Sequence, residues 1–160
     1  MTTTNELTQT PGRVNIAEVA PKVYRAQIGL DAAARQGLDP SLVELIQIRA
    51  SQLNNCAYCL HMHTSDARKA GESEERLHMV AVWHDAPHFF SAEERAALAL
   101  TEAITLIAER GVPESVYRES ADVLGEEKTA QVVAAICAIN TWNRFSIATG
   151  KIAGTDERKK

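Results

Sequence analysis

Two cysteines and a histidine are spaced so that they could do chemistry together. Cys56, Cys59 and His63 lie at positions i, i+3 and i+7, so on one helix they would share a face. In a chain without a secretion signal, two cysteines at this spacing are typical of thiol redox chemistry or metal binding. Cys59 and His63 are i, i+4 neighbours, which brings an imidazole within reach of a thiol. The pattern predicts an activated cysteine or a metal site.

The place of these thiols in their helix favours ionisation. A helix that begins at or near Cys56 puts both sulfurs in its first turn, where free backbone N–H groups and the helix dipole stabilise negative charge. A cysteine pKa lowered from about 8.5 to about 7 raises the thiolate fraction at neutral pH from a few per cent to about half. Spacing alone leaves the nucleophile open, because Cys56 is nearer the helix terminus and Cys59 is nearer the imidazole.

Glu44 is the fourth candidate, because it is a carboxylate in an otherwise apolar stretch and a buried carboxylate needs a partner. On one continuous helix it would lie about 28 Å from His63. The two meet only if the chain reverses at Asn54 and Asn55, residues that prefer caps and turns to helix interiors. We therefore expect a reversal there, with Glu44 orienting the His63 ring and stabilising its charged form.

The elements that must position these residues are predicted to be helices. Apolar residues recur at helical spacing, Ser91 and Glu94 form a capping box, and no segment alternates as a strand would. The sequence predicts an all-α single domain of about seven helices, near 21–37, 41–53, 56–71, 72–84, 91–111, 113–124 and 126–150. We place the domain at 13–150, between flexible tails at 1–12 and 151–160.

Composition narrows the function classes. The 160 residues are 45% hydrophobic, enough for one domain with its own core. Seventeen basic and 21 acidic residues give a net charge of −4 without a basic stripe, so no electrostatic footprint of nucleic-acid binding exists. No run of about 18 apolar residues and no signal-like start occurs. We predict a cytoplasmic protein that binds neither nucleic acid nor membrane.

Glu44, Cys56, Cys59 and His63 match the Glu-x11-Cys-x2-Cys-x3-His signature of alkylhydroperoxidase D (AhpD)-like proteins, within the carboxymuconolactone decarboxylase superfamily. The chain resembles this family over residues 20–150, including stretches at 49–60, 83–87, 95–103 and 140–144. The resemblance implies an AhpD-like helical bundle that assembles into trimers or hexamers and acts as a cysteine-based peroxidase without a cofactor.

The resemblance also implies roles for the four residues. Cys59 attacks the peroxide and becomes a sulfenic acid, and Cys56 condenses with it to a disulfide. His63 and Glu44 relay protons. A dithiol partner, lipoyl-bearing in the best-known member, restores the thiols. Tyr58 stands where that member has a histidine between its cysteines, so no relay role is carried over to this position.

Two other hypotheses of function remain. One is a lactone decarboxylase like the superfamily's namesake, whose chemistry does not need two thiols. The other is a non-catalytic module, either a redox sensor or a zinc-stabilised oligomerisation domain in which Cys56, Cys59 and His63 are metal ligands. Cys137, in the apolar last helix, is interpreted as a core residue. The sequence assigns no role to four further polar residues, namely Tyr58, His61, His84 and Glu102.

Overall fold

A computed structural model describes residues 8–156, and this part of the chain is helical. Outside one isolated β-bridge between Gln9 and Lys151, no strand occurs within 8–156. The all-α prediction is therefore confirmed. The helices are α1 (Ile16–Val19), α2 (Pro21–Ala34), α3 (Pro40–Leu53), α4 (Ala57–Lys69), α5 (Glu74–Met79), α6 (Ala92–Thr105), α7 (Ile107–Arg110), α8 (Glu114–Leu124) and α9 (Glu126–Thr149), with 3₁₀ turns at Val80–Val82 and Pro87–Phe89.

The count differs from the predicted seven at three places. The single turn α1 was not predicted, because four residues carry no helical periodicity. The predicted helix at 72–84 is α5 followed by a 3₁₀ turn. The helix predicted over 91–111 breaks at Leu106 (φ −97°, ψ 29°) into α6 and α7. The β-branched Ile104 and Thr105 directly before this break lower helix propensity.

Helix α3 lies at the centre and carries the core. It packs against α4, α6 and α9, and Leu45, Ile46 and Ile48 on it are almost fully buried. Because neighbours surround it, eight of its 14 residues are buried. A side chain on α3 is therefore held by a rigid, closely packed element.

Side-chain caps fix where the helices begin. Asp39 accepts hydrogen bonds from the backbone N–H groups of Ser41 and Leu42 at the start of α3. The predicted capping box at Ser91 and Glu94 is present at the start of α6. These caps satisfy backbone donors that the first helical turn leaves free.

The predicted reversal between α3 and α4 is confirmed. Asn54 is the C-cap of α3, and Asn55 adopts a left-handed conformation (φ 54°), which asparagine tolerates better than most residues. Cys56 follows in extended conformation as the N-cap of α4, and its backbone N–H donates to Ser51 O at 2.9 Å. The turn sends α4 back along α3.

The described parts of the two predicted tails pair with each other. Thr10 N–H donates to Gly150 O at 2.8 Å, and Ile152 N–H donates to Thr8 O at 3.2 Å. Gly150 is left-handed (φ 68°), and a Cβ on it would lie 2.4 Å from Thr10 Oγ1. Residues 1–7 and 157–160 lie outside the described residues, so the flexibility and bounds of the tails stay a prediction.

The interpretation of Cys137 as a core residue was wrong. Its side chain is exposed on α9. This helix is apolar on most of its circumference, and the face that turns inward carries Val132, Ile136 and Ile139, so composition alone could not show which face is buried.

Across residues 8–156, no helix is both long and apolar enough to cross a membrane.

Candidate active site

The reversal after α3 brings the carboxylate and the imidazole together. Glu44 Oε2 lies 3.0 Å from His63 Nδ1, as predicted from the sequence. Only 3% of the His63 side chain is exposed, against 18% for Glu44. The pairing occupies Nδ1 and leaves Nε2 as the ring nitrogen that is available to Cys59.

The two cysteines lie side by side at the start of α4. Cys56 and Cys59 are both buried free thiols that approach to 3.0 Å. Cys56 is the N-cap residue and Cys59 lies in the first turn, as the spacing predicted. Neutral and ionised sulfurs this close hydrogen-bond to each other, and the closing of a disulfide between them requires little movement.

The surroundings of the two thiols shift their pKa values in opposite directions. The pKa of Cys59 is lowered to about 6, first by the hydrogen bond from Cys56, then by hydrogen bonds with Ser146 and Asn143 and by the charge of His63, against the opposing effect of burial. The pKa of Cys56 is raised, first by its hydrogen bond to Cys59 and then by burial. The lowered pKa of Cys59 and the raised pKa of Cys56 favour Cys59 as the thiol that ionises first.

Two residues of α9 complete the sulfur environment, and sequence reasoning did not assign them to the site. Ser146 Oγ lies 3.5 Å from Cys59 Sγ. Asn143 is fully buried, donates to Ser51 Oγ at 3.0 Å and also hydrogen-bonds the cysteines. Polar residues inside an apolar helix were a usable signal, because buried amides need partners. The sequence did not indicate that these partners are the cysteines.

Hydrogen bonds between three asparagines connect this part of α9 to the turn between α3 and α4. Asn54 Nδ2 donates to Asn143 Oδ1 at 2.8 Å and to Asn140 Oδ1 at 3.0 Å. Asn140 in turn donates to Thr105 Oγ1 on α6 at 3.0 Å. These hydrogen bonds link α6, α9 and the turn after α3. They hold α9 in register with the thiols.

A cavity of about 430 Å³ gives access to Cys59 and His63. Its walls come from α1, α2, α4, α9 and the segment after α9. Tyr24, Trp142 and Phe145 form an aromatic wall, with an edge-to-face contact of 5.2 Å between the rings of Tyr24 and Trp142. Arg35 and Asp31 form an ion pair at its edge. Most of the surface that lines the cavity is apolar, and Cys59 and His63 are among its polar groups.

A second cavity, of about 340 Å³, lies against Glu44. Asp39, Ser41 and Glu72 line it together with apolar residues of α3, α4 and α5. Ser41 Oγ donates to Glu72 Oε2 at 3.0 Å. Neither cysteine lines this cavity, and Glu44 does not line the first one.

Glu102, for which no role was predicted, is a half-buried carboxylate at the centre of an ion-pair cluster outside both cavities. Its carboxylate accepts hydrogen bonds from Arg49 Nε and Trp83 Nε1, each at 2.8 Å, and lies 3.0 Å from His84 Nε2. Burial raises the pKa of Glu102, but the hydrogen bonds from His84, Trp83 and Arg49 outweigh it and hold the pKa below its usual range. This cluster connects α3 to α6.

His61, for which no role was predicted either, is exposed on α4.

The site brings together two free thiols and an imidazole that is paired with a carboxylate. Within the described ranges, no three His, Cys, Asp or Glu side chains gather closely enough to hold a metal ion. A buried thiolate, a second thiol in contact with it, and an imidazole backed by a carboxylate are the parts that cysteine redox chemistry needs.

Comparison with known proteins agrees with this chemistry at the level of the family. The sequence model of the carboxymuconolactone decarboxylase family matches residues 21–103. This range includes Glu44, Cys56, Cys59 and His63.

Three relatives show how far the similarity extends. The uncharacterized protein YdfG of Bacillus subtilis is 42% identical over 144 residues, which cover 89% of this chain and 97% of YdfG. The uncharacterized protein YnjA of Escherichia coli is 33% identical over 72 residues, 45% of this chain and 39% of YnjA. The crystal structure of ATU0492 from Agrobacterium tumefaciens superposes with a TM-score of 0.81 at 34% identity, covering 86% of this chain and 94% of that one. ATU0492 is a protein of unknown function for which a role as the antioxidant defence protein AhpD has been suggested.

Proposed function

The chain belongs to the carboxymuconolactone decarboxylase family, and from this premise we propose that it is a cysteine-based peroxidase that reduces hydrogen peroxide and organic hydroperoxides. One observation carries the proposal. Cys59 lines an accessible cavity beside His63, Cys56 lies in contact with Cys59, and the pKa of Cys59 is lowered to about 6. The role suggested for ATU0492 supports the same activity.

In the first step the Cys59 thiolate attacks the terminal oxygen of the hydroperoxide. A sulfur–oxygen bond forms as the oxygen–oxygen bond breaks, so the thiolate is oxidised to a sulfenic acid and the peroxide is reduced. The leaving alkoxide takes a proton from His63 and departs as an alcohol, or as water when hydrogen peroxide is the substrate. Glu44 orients the ring and stabilises its charged form.

In the second step Cys56 resolves the sulfenic acid. Its sulfur attacks Cys59 Sγ, the sulfur–sulfur bond forms, and hydroxide leaves with the proton of Cys56 as water. The thiols are in contact before reaction, so the step needs no rearrangement of the helix. The raised pKa of Cys56 fits this role, because a protonated thiol does not compete with Cys59 for the peroxide.

A dithiol then supplies the electrons that return both cysteines to thiols, through two thiol–disulfide exchanges that leave the partner oxidised. A lipoyl-bearing protein is the kind of reductant that the family resemblance suggests. We also propose that the enzyme is cytoplasmic and homo-oligomeric, as a trimer or hexamer, and that it uses no cofactor.

The aromatic wall at Tyr24, Trp142 and Phe145 favours a hydroperoxide with an apolar body. The cavity of about 430 Å³ far exceeds the space that hydrogen peroxide fills, and it falls in the range of small-molecule sites. We expect a bulky aryl or alkyl hydroperoxide to have a lower KM than hydrogen peroxide, because its body buries apolar area against these rings.

The test is hydroperoxide consumption with a dithiol reductant. Cys59→Ser should abolish turnover. Without the dithiol, Cys56→Ser should consume one equivalent of peroxide and leave a sulfenic acid that a cyclic diketone traps. The matched control is Cys137→Ser, which removes an exposed thiol and should leave turnover unchanged.

Three outcomes would contradict the peroxidase. Full turnover in Cys59→Ser would show that the thiol is not the nucleophile. Decarboxylation of a carboxylated lactone that survives replacement of both cysteines would favour the chemistry of the family's namesake. About one zinc per chain, lost in Cys59→Ser, would favour a metal-stabilised module.

A further inference from the structure

The pair His63–Glu44 separates the two cavities of this half of the molecule. His63 and Cys59 line the cavity of about 430 Å³. Glu44 lines the cavity of about 340 Å³, and its Oε2 is 3.0 Å from His63 Nδ1. A short hydrogen-bonded path therefore crosses the wall between two openings.

Exposure along this path indicates where it meets water. The His63 side chain is 3% exposed and Cys59 is buried, whereas 18% of the Glu44 side chain is exposed. Since Glu44 lines the second cavity and not the first, its contact with solvent is through the second cavity. The polar groups on that side are Asp39, Ser41 and Glu72, and Glu72 is also paired with Arg76.

The chemistry of the proposed peroxidase, on which this inference rests, requires proton exchange with solvent. With a pKa of about 6, Cys59 is mostly ionised at neutral pH, so reduction of the disulfide releases a proton to water. Cleavage of the next peroxide takes one back for the leaving alkoxide. While an organic hydroperoxide fills the first cavity and excludes water from it, His63 can regain the proton that it gives to the alkoxide only from another side.

We propose that the second cavity is a separate proton entrance, through which solvent protons reach His63 by way of Glu44 while the first cavity holds the hydroperoxide. The polar side chains of Asp39, Ser41 and Glu72 line this cavity and can hydrogen-bond the water that carries protons to Glu44. Substrate and protons thus reach the thiol from opposite sides of one imidazole.

Chemical rescue tests the route. Glu44→Ala should lower kcat with an organic hydroperoxide by about 10²-fold, a typical loss for general acid–base groups, and formate should restore turnover by entering the space of the lost carboxylate. Ala70 is exposed and lines the second cavity, so Ala70→Phe partly fills the entrance. Added to Glu44→Ala, it should reduce the formate rescue about tenfold or more, whereas the control Ala70→Ser should not.

A labelling experiment gives a readout that does not need peroxidase activity. In a chain with Cys56→Ser, Cys59→Ser, Cys137→Ser and Glu44→Cys, the thiol at position 44 should react with iodoacetamide. Ala70→Phe should slow this reaction about tenfold, and Met62→Trp, which narrows the first cavity, should not. For labelling of the native Cys59, the effects should be reversed: Met62→Trp should slow the reaction and Ala70→Phe should not.

The outcomes distinguish the two proposals. A wild type that is inactive with every hydroperoxide contradicts the peroxidase. An active wild type whose formate rescue and labelling at position 44 are unaffected by Ala70→Phe overturns the separate entrance alone. Labelling at position 44 that Met62→Trp blocks also overturns it, because solvent would then reach Glu44 through the substrate cavity. If Ala70→Phe lowers the yield of folded protein, Ala70→Leu is a smaller obstruction with the same expected direction.

Discussion

Neutral hydrogen-bond donors stabilise the Cys59 thiolate more than charge does. The largest effect on its pKa comes from Cys56, followed by Ser146 and Asn143, and the charge of His63 comes last. A buried thiolate held by short hydrogen bonds is little affected by salt screening. Its ionisation therefore depends on the positions of α4 and α9, since these helices carry the donors.

This environment predicts the pH dependence of alkylation at Cys59. The rate with iodoacetamide should rise with pH, with a midpoint near 6, because only the thiolate reacts and its pKa is lowered to about 6. Ser146→Ala should move the midpoint to higher pH, since loss of a donor destabilises the charged form. Thr149→Ala, which lines the same cavity, is the control and should leave the midpoint in place. A wild-type midpoint near 8.5, the ordinary cysteine value, would contradict the assignment.

At the scale of elements, the reversal after α3 decides whether a site exists. It stacks the Glu44 turn of α3 on the His63 turn of α4 and aligns Asn54 with α9. Among residues 8–156, Asn55 is the one residue other than glycine that has a positive φ. It is exposed, so its contribution to stability is that of its backbone conformation.

Substitutions at Asn55 should report this backbone contribution. Asn55→Ala should lower the free energy of unfolding by about 1 kcal/mol, because alanine in the left-handed region carries a Cβ clash. Asn55→Gly should be close to neutral, since glycine adopts this region freely. Urea unfolding of both variants measures the difference. Equal stability of the two would show that the turn does not constrain the conformation at Asn55.

Local chemistry explains which parts of the site were predictable. Cys56, Cys59 and His63 share one helix, and the Asn54–Asn55 turn is a local signal, so their grouping and the meeting of Glu44 with His63 followed from spacing. Asn143 and Ser146 lie more than 80 residues further along the chain. Their place depends on how α9 packs, and a helix that is apolar on most sides does not reveal its inward face; the same ambiguity misplaced Cys137.

At the scale of the molecule, α1 and α2 form a surface with four large exposed apolar side chains. Val19 and Val23 are 73% and 53% exposed, and Ile28 and Leu30 are also exposed. Exposed apolar side chains grouped in one region are typical of association surfaces. The surface adjoins the first cavity, whose wall includes residues of α1 and α2, so a second copy packed here would also border the site.

Association through this surface is testable in solution. Light scattering with size-exclusion chromatography should give a mass that corresponds to a trimer or hexamer of the 17.5 kDa chain. Val19→Glu combined with Val23→Glu should lower this mass, because burying charge in an apolar contact is costly. Val82→Glu, at an exposed valine away from α1 and α2, is the control. A monomeric wild type, or a double variant of unchanged mass, would contradict the role of the surface.

The contact between Cys56 and Cys59 has a consequence for how the protein is recognised. Closing a disulfide from a separation of 3.0 Å moves the sulfurs by about 1 Å, so the backbone is nearly the same before and after oxidation. In the proposed redox cycle, a reductant would therefore contact almost the same protein surface before and after oxidation.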